Sequence, residues 1–237
     1  LVMLESYLHL TLGSYARNVD RFVVPSRFYL RKLVEWGFPA ERFEYVPNFV
    51  AATSFEACYQ PGSRFVYFGR LTPEKGVATL LRAAAEAQVG VDIIGTGQQE
   101  GELRALAAGR DVRFLGYLTG TKLNAAVSAA RAVVVPSEWY ENAPLAVLEG
   151  AALGKPLIVA RIGGLPELVV DGESGWSFTS GSAAELAATL RRVADLPDAE
   201  VTAAGMAARR RVEDEFSPKR YLERIRGVYG RLGVGWP

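Results

Sequence analysis

Residues 65–97 read FVYFGRLTPEKGVATLLRAAAEAQVGVDIIGTG, and their rhythm decides the fold. An apolar run, Phe65–Phe68, gives way to Gly69-Arg70, then to a helical stretch at 76–87, then to a second apolar run, Val91–Ile94. Short continuous apolar runs joined through a helix belong to a parallel sheet covered on both faces. The unit recurs downstream. Strands at Val112–Leu115, Ala132–Val135 and Leu157–Ala160 alternate with helices near 98–108, 120–130, 143–153 and 165–170. Gly175–Phe178 reads as a further strand, and helices near 182–195, 198–214 and 217–232 follow it. The fold class is α/β, a Rossmann-like doubly wound parallel sheet.

Upstream the pattern is partial. Leu4, Leu8, Leu12 and Tyr15 recur at helical spacing, so Val2 to Tyr15 reads as an amphipathic helix. Arg21–Val24 is a short strand closed by Pro25, after which Ser26 is the expected N-cap of a helix ending at Gly37. Phe43–Val46 is a second short strand, stopped by Pro47-Asn48. Residues 48–63 carry Ala, Thr, Ser, Gln, Pro and Gly without apolar periodicity and read as a linker. The expected division is a domain remnant at 1–47, the linker, a complete doubly wound domain at 64–212, and a final helix within 213–237.

Bulk properties exclude several classes of function. With 49% hydrophobic and 22% charged residues, the chain has the makings of an ordinary globular core. A net charge of +1 gives no global pull toward nucleic acid. Cys58 and His9 are the single cysteine and histidine, which leaves no His/Cys metal cluster and no internal disulfide. The lone thiol fits a reducing compartment, so a cytoplasmic location is expected. Leu1 to Leu12 contains Glu5 and His9 and is shorter than the ~20 residues a membrane span needs. Opening on Leu1, the chain is expected to be a piece of something longer.

Ligands of open parallel sheets bind at the carboxyl ends of the strands. Two segments there carry the chemistry. Arg70 directly follows the first strand and Lys75 lies five residues on, a guanidinium fork and an ammonium point charge suited to a diphosphate. Pro136-Ser137-Glu138-Trp139-Tyr140 follows the strand Ala132–Val135 and leads into ENAPLAVLE (141–149). Pro144 suits the first helical position with Asn142 or Ala143 as N-cap, so the first turn's free N–H groups offer an anion site. At helical rise, Glu141 and Glu149 stand about 12 Å apart, roughly the span from glycosyl carbon to ribose in a nucleotide diphosphate sugar. Glu149 sits among apolar neighbours, where a carboxylate wants a partner. The chain reads as a nucleotide-sugar binder. The plain alternatives are solvated surface cations and two glutamates on an exposed helix.

Four segments, GRLTPEKG (69–76), IIGTGQQE (93–100), FLGYLTG (114–120) and the run from Val134 to Trp176, together resemble the C-terminal half of retaining GT-B glycosyltransferases, the glycosyltransferase family 4. Glu141 and Glu149 match that family's Glu-x7-Glu motif, and residues 21–50 are similar to the end of its N-terminal domain and the interdomain crossover. The resemblance implies that Arg70 and Lys75 hold the diphosphate, that Glu141 touches the transferred sugar, and that Glu149 meets the ribose. It further implies that backbone amides near Asn142, Ala143, Pro144 and Leu145 bind phosphate. Gly95, Gly97 and the main chain at Tyr117-Leu118 would border the base. It implies transfer to an acceptor hydroxyl with retention and no added cofactor or metal. The acceptor would be a glycan, a lipid-linked sugar or a small molecule, and the rest of the N-terminal domain would be needed in cis or trans.

The final helix presents an apolar stripe (Phe216, Tyr221, Ile225, Val228, Tyr229, Leu232) and a basic side, expected to be solvated, with peripheral contact to an anionic membrane as the second reading. Rival functions are a non-catalytic donor-binding module needing a partner chain, a nucleotide-sugar epimerase of the same fold, and a dinucleotide dehydrogenase. Gly95-Thr-Gly97-Gln-Gln-Glu-Gly101 misses the dehydrogenase fingerprint spacing by one and follows an internal strand.

Overall fold

The computed structural model describes residue 5, residues 8–9 and residues 11–235. Of the expected helix from Val2 to Tyr15, residues 2–4, 6, 7 and 10 lie outside the described residues; residues 5, 8, 9 and 11 are helical, a turn at Leu12-Gly13 follows, and α1 is Ser14–Asn18. Strands β1 (Phe22–Val24) and β2 (Phe43–Tyr45) pair in parallel, Phe22 opposite Phe43. Helix α2 (Arg27–Glu35) connects them. It begins where expected, with the Ser26 side chain accepting from the Tyr29 N–H. It ends in a Schellman closure: the Gly37 N–H bonds Val34 O, the Phe38 N–H bonds Leu33 O, and Gly37 takes a φ of 92°.

The apolar runs downstream form one sheet of six parallel strands: β3 (Phe65–Phe68), β4 (Val91–Ile94), β5 (Val112–Gly116), β6 (Ala132–Val135), β7 (Leu157–Ala160) and β8 (Gly175–Phe178). Their spatial order is β5-β4-β3-β6-β7-β8. The chain winds outward from β3 through β4 to β5, then returns beside β3 and winds the other way. The strand order thus reverses between β3 and β6, and a crevice opens above their carboxyl ends. Phe65, Ile93, Val134 and Ile158 are fully buried. Helix α3 (Val77–Ala87) packs on α7 (Ala183–Asp195), and α6 (Leu145–Ala152) packs on α8 (Asp198–Glu215). Helices α4 (Glu100–Leu106) and α5 (Gly120–Ser128) complete the alternation, and α9 (Pro218–Arg231) is last. The doubly wound α/β reading holds.

Three expectations change. The helix foreseen at 165–170 is a 3-10 turn, Leu165–Leu168, which stops where Val169 turns extended at φ −128°. Helix α8 continues to Glu215, so the boundary drawn at 212 falls inside its last turn, and the chain bends instead at buried Phe216. The stretch 48–63 is not a free linker but lies against the domain. The Cys58 N–H bonds Leu153 O, Lys155 Nζ reaches Gln60 O at 2.8 Å, and Arg209 donates to Phe55 O. Lys155 is fully buried by this docking, and burial pulls its ammonium below the usual range. Helix α9 folds back on residues 44–49. Arg231 forks onto Glu44 at 3.0 and 2.7 Å, and the Tyr221 ring stands 4.6 Å from that of Phe49.

Candidate functional site

Loops from the carboxyl ends of β3 and β6 interlock above the crevice. After β3 the chain makes a 3-10 turn, Pro73–Lys75, and passes through Gly76 at φ 65°. A Cβ on Gly76 would lie 2.0 Å from Pro136 O, so only glycine allows the two loops to touch there. The Glu138 N–H bonds Glu74 O at 2.9 Å, and Thr79 donates to Glu138 Oε1. This seats Lys75 against Glu141: Nζ to Oε1 is 2.5 Å, with Ser137 Oγ donating to the same oxygen at 2.7 Å. Both partners are mostly buried, with 21% and 14% of their side chains exposed. Two candidates 66 positions apart in sequence thus meet directly. Ser137, which holds Glu141, was signalled only by its place after a strand.

Arg70 leaves the same turn but stays 74% exposed, its guanidinium 4.0 Å from Glu74. Beneath it the Tyr67 hydroxyl donates to Arg70 O at 2.7 Å, and burial raises that phenol well above its ordinary pKa. Arg70, Gly95, Tyr117 and Leu118, with Thr96 and Leu123, line a cavity of about 300 Å³ over the ends of β3 and β4. Gly97 lies outside it. A Cβ there would stand 2.3 Å from Leu71 O, so Gly97 is a packing glycine and not part of the cavity wall. Gly95 serves both ends, since its Cβ would meet Gly69 O at 1.9 Å.

Helix α6 is shorter at its start than its motif suggests. Pro144 is the N-cap, in extended conformation at ψ 129°, and not the first helical residue; Leu145 opens the helix. Asn142 and Ala143 precede the cap because both are committed elsewhere. Asn142 Oδ1 accepts from Ser26 Oγ at 2.6 Å, and Ala143 O accepts from Asn48 Nδ2 at 2.8 Å. Helical rise therefore applies only from Leu145 onward, and the ~12 Å separation of Glu141 and Glu149 cannot be taken from it. The first turn has no acidic residue and no side-chain cap. Its N–H groups remain an anion-attracting end. Glu149 is half-buried one turn in. Burial alone pushes its carboxyl pKa up, and among the described residues it has no side-chain partner.

The Gly163-Gly164 turn after β7 completes the support. The Gly164 N–H bonds Glu141 O at 2.6 Å, and side chains at either glycine would strike the Glu141 or Asn142 backbone. Glu167 on the next turn accepts from the N–H groups of Arg27 and Phe28 at 2.8 and 2.6 Å, capping α2 from the other end of the sequence. Sequence reasoning missed this clamp of Ser26, Asn48, Gly163, Gly164 and Glu167. Ser26 signals only its own helix cap and the Gly-Gly pair only a turn; neither announces the contact across the sequence.

No three His, Cys, Asp or Glu side chains gather as a metal site among the described residues. Nor is any helix among them long and apolar enough to cross a membrane. The basic side chains of α8 and α9 are largely engaged: Arg209 with Glu213, Arg211 with Glu215 and Arg220 with Glu223.

This arrangement, a crevice at the reversal of a doubly wound parallel sheet, is that of a Rossmann-like α/β domain. Residues 62–195, more than half the chain, match the family model described as Glycosyl transferases group 1, and the chain belongs to that family. It is 29% identical over 226 residues to the amylovoran biosynthesis glycosyltransferase AmsK of Erwinia amylovora, covering 87% of this chain and 55% of that protein. It is 38% identical over 163 residues to glycogen synthase of Mycobacterium tuberculosis, covering 65% of this chain and 39% of that one. The chain thus spans about half the length of these relatives or less. Among solved structures, HepE of Anabaena in complex with UDP and glucose superposes with a TM-score of 0.82 at 20% identity, over 96% of this chain and 67% of that one. Sucrose-phosphate synthase of Thermosynechococcus elongatus gives 0.79 at 27% identity, over 91% and 59%. The fold is that of GT-B glycosyltransferases.

Proposed function

We propose that this chain is the donor-binding portion of a retaining glycosyltransferase of family 4, moving a sugar from a nucleotide diphosphate sugar to an acceptor hydroxyl. The observation that carries the reading is the 2.5 Å contact of Lys75 with Glu141, which joins the two motif loops beside the exposed guanidinium of Arg70. The diphosphate lies between Arg70, Lys75 and the uncapped start of α6, near Asn142 to Leu145. Glu141 faces the transferred sugar. Glu149, half-buried without a side-chain partner among the described residues, accepts from the ribose hydroxyls. The base enters the cavity bounded by Gly95, Tyr117 and Leu118.

In the reaction the bond from the anomeric carbon to the diphosphate oxygen breaks and a bond from the acceptor oxygen forms on the same face. The acceptor proton passes to the departing diphosphate. Charge accumulates on the leaving group, where two cations and a helix N-terminus await it. No cofactor or metal is invoked. Residues 1–47 and the returning helix α9 are assigned to a second, acceptor-side domain, which makes the isolated chain a weak catalyst. Support comes from the crevice geometry, from family membership and from the fold shared with a protein solved with UDP and glucose.

A thermal-shift panel of UDP- and GDP-sugars tests the reading. At about 100 times its dissociation constant the correct donor stabilises the chain by roughly 2.7 kcal/mol. A flat response across the panel contradicts it.

A further inference from the structure

A second cavity, of about 410 Å³, is lined in part by Glu141 and shares no lining residue with the base cavity. Phe28, Tyr29, Lys32 and Trp36 of the α2 region form one wall; Trp139, Tyr140, Glu141 and Asn142 form the other. Its aromatic side chains are unusually bare: Trp139 is 68% exposed, Trp36 65% and Tyr140 54%. The walls are fixed to one another. The Phe28 ring of one wall stands 4.9 Å from the Tyr140 ring of the other. Ser26 ties the start of α2 to Asn142, and Glu167 caps that start. Lys32, paired with Glu35 at 2.7 Å, adds an ammonium at the rim.

Flat rings with carboxylate, amide and ammonium groups at their edges are complementary to a pyranose. Its axial C–H face lies on an aromatic ring, and its equatorial hydroxyls reach polar groups around the rim. An apolar lining with a few convergent polar groups is the ordinary make-up of a ligand site. A phosphate-bearing ligand fits less well, since Lys32 is already paired and Glu141 is acidic. The cavity also shares Glu141 with the donor site, so a sugar seated in it lies next to the carbon being transferred.

We propose that this cavity is the acceptor subsite, and that it takes a neutral pyranose ring of a glycan stacked on Trp139, with Trp36 flanking it. The proposal rests on the donor reading above and names the acceptor class for that same site. Glu141 joins the two sites: one carboxylate oxygen is held by Lys75 and Ser137, and the residue also lines the acceptor cavity.

The test is an array of immobilised neutral pyranose glycans probed with the 237-residue chain in the presence of UDP, beside a UDP thermal shift on the same samples. The expected result is retention on at least one glycan class, weakened about tenfold by Trp139→Ala and less by Trp139→Phe, with the UDP shift intact in both variants. Trp139 is largely exposed, so these variants keep the fold. Absence of glycan retention, or retention indifferent to Trp139→Ala, overturns the acceptor subsite. Trp139-dependent sedimentation with phosphatidylglycerol vesicles and no glycan retention assigns the aromatics to a lipid and also overturns it. Absence of a shift with both UDP and GDP in the unsubstituted chain instead strikes the donor reading.

Discussion

Replacing Glu167 by alanine probes how this fold holds the short helix that shapes its site. Among its described residues α2 buries no side chain fully, so its attachment rests on its ends. Glu167 supplies two hydrogen bonds there, at 2.8 and 2.6 Å, to the N–H groups of Arg27 and Phe28. Both are charge-assisted, and the carboxylate sits at the positive end of the helix dipole. The Arg27 N–H is exposed and regains water when the carboxylate is removed, costing about 1 kcal/mol; the Phe28 N–H is partly buried and costs about 1–2 kcal/mol. The sum, roughly 2–3 kcal/mol, corresponds to a drop in melting temperature of about 4–12 °C for a domain of this size if the helix unfolds with the rest. If it detaches alone, the same energy appears as about 30- to 150-fold faster amide exchange in residues 27–35, with the β6 and β7 amides unchanged. Hydrogen exchange with mass spectrometry, run beside a thermal melt, separates the two outcomes. Unchanged exchange at 27–35 together with an unchanged melt refutes the clamp.

Other perturbations give distinct readouts. Glu149 has its pKa raised by burial, so the native state binds this proton more tightly than the unfolded chain, and stability falls as pH rises through and above the ordinary carboxylate range. Glu149→Gln therefore raises the melting temperature at neutral pH, gains little at pH ~4 where the carboxyl is already protonated, and weakens nucleotide-sugar binding; a lower melting temperature at neutral pH counts against this. Gly97→Ala drives a Cβ to 2.3 Å from Leu71 O and destabilises the chain by about 1–3 kcal/mol in urea unfolding. A neutral result there means that the β4 loop yields. Arg70→Ala, with its side chain 74% exposed, leaves the unliganded melt within about 0.5 kcal/mol and removes the UDP thermal shift.

Much of the fold was legible because each link is local. Apolar runs such as Ala132–Val135 and Leu157–Ala160 need burial on both faces, and the helices between them force parallel pairing. The Ser26 cap and the Gly37 closure could likewise be read from a few neighbouring residues. The candidate site was legible where residue chemistry is distinctive, as with Arg70, Lys75 and Glu141. It was illegible where function depends on contacts across long sequence separations. Nothing near Ser26 announces Asn142, and nothing near Glu167 announces the N–H groups of α2. Pro144 misled for a related reason: its preference for the first helical turn lost to the bonds that fix Asn142 and Ala143 outside the helix. Gly97 was placed at the base by the family resemblance alone, and the backbone it packs against is that of Leu71.

The central claim is that a pyrophosphate sits between Arg70, Lys75 and the start of α6. Isothermal titration calorimetry with UDP and with uridine measures it most directly. The account predicts that UDP binds at least about 100-fold more tightly than uridine, two charge-assisted contacts contributing roughly 3 kcal/mol, and that Lys75→Ala abolishes most of the difference. Equal affinity for UDP and uridine, or a preference for UDP untouched by Lys75→Ala, would contradict it.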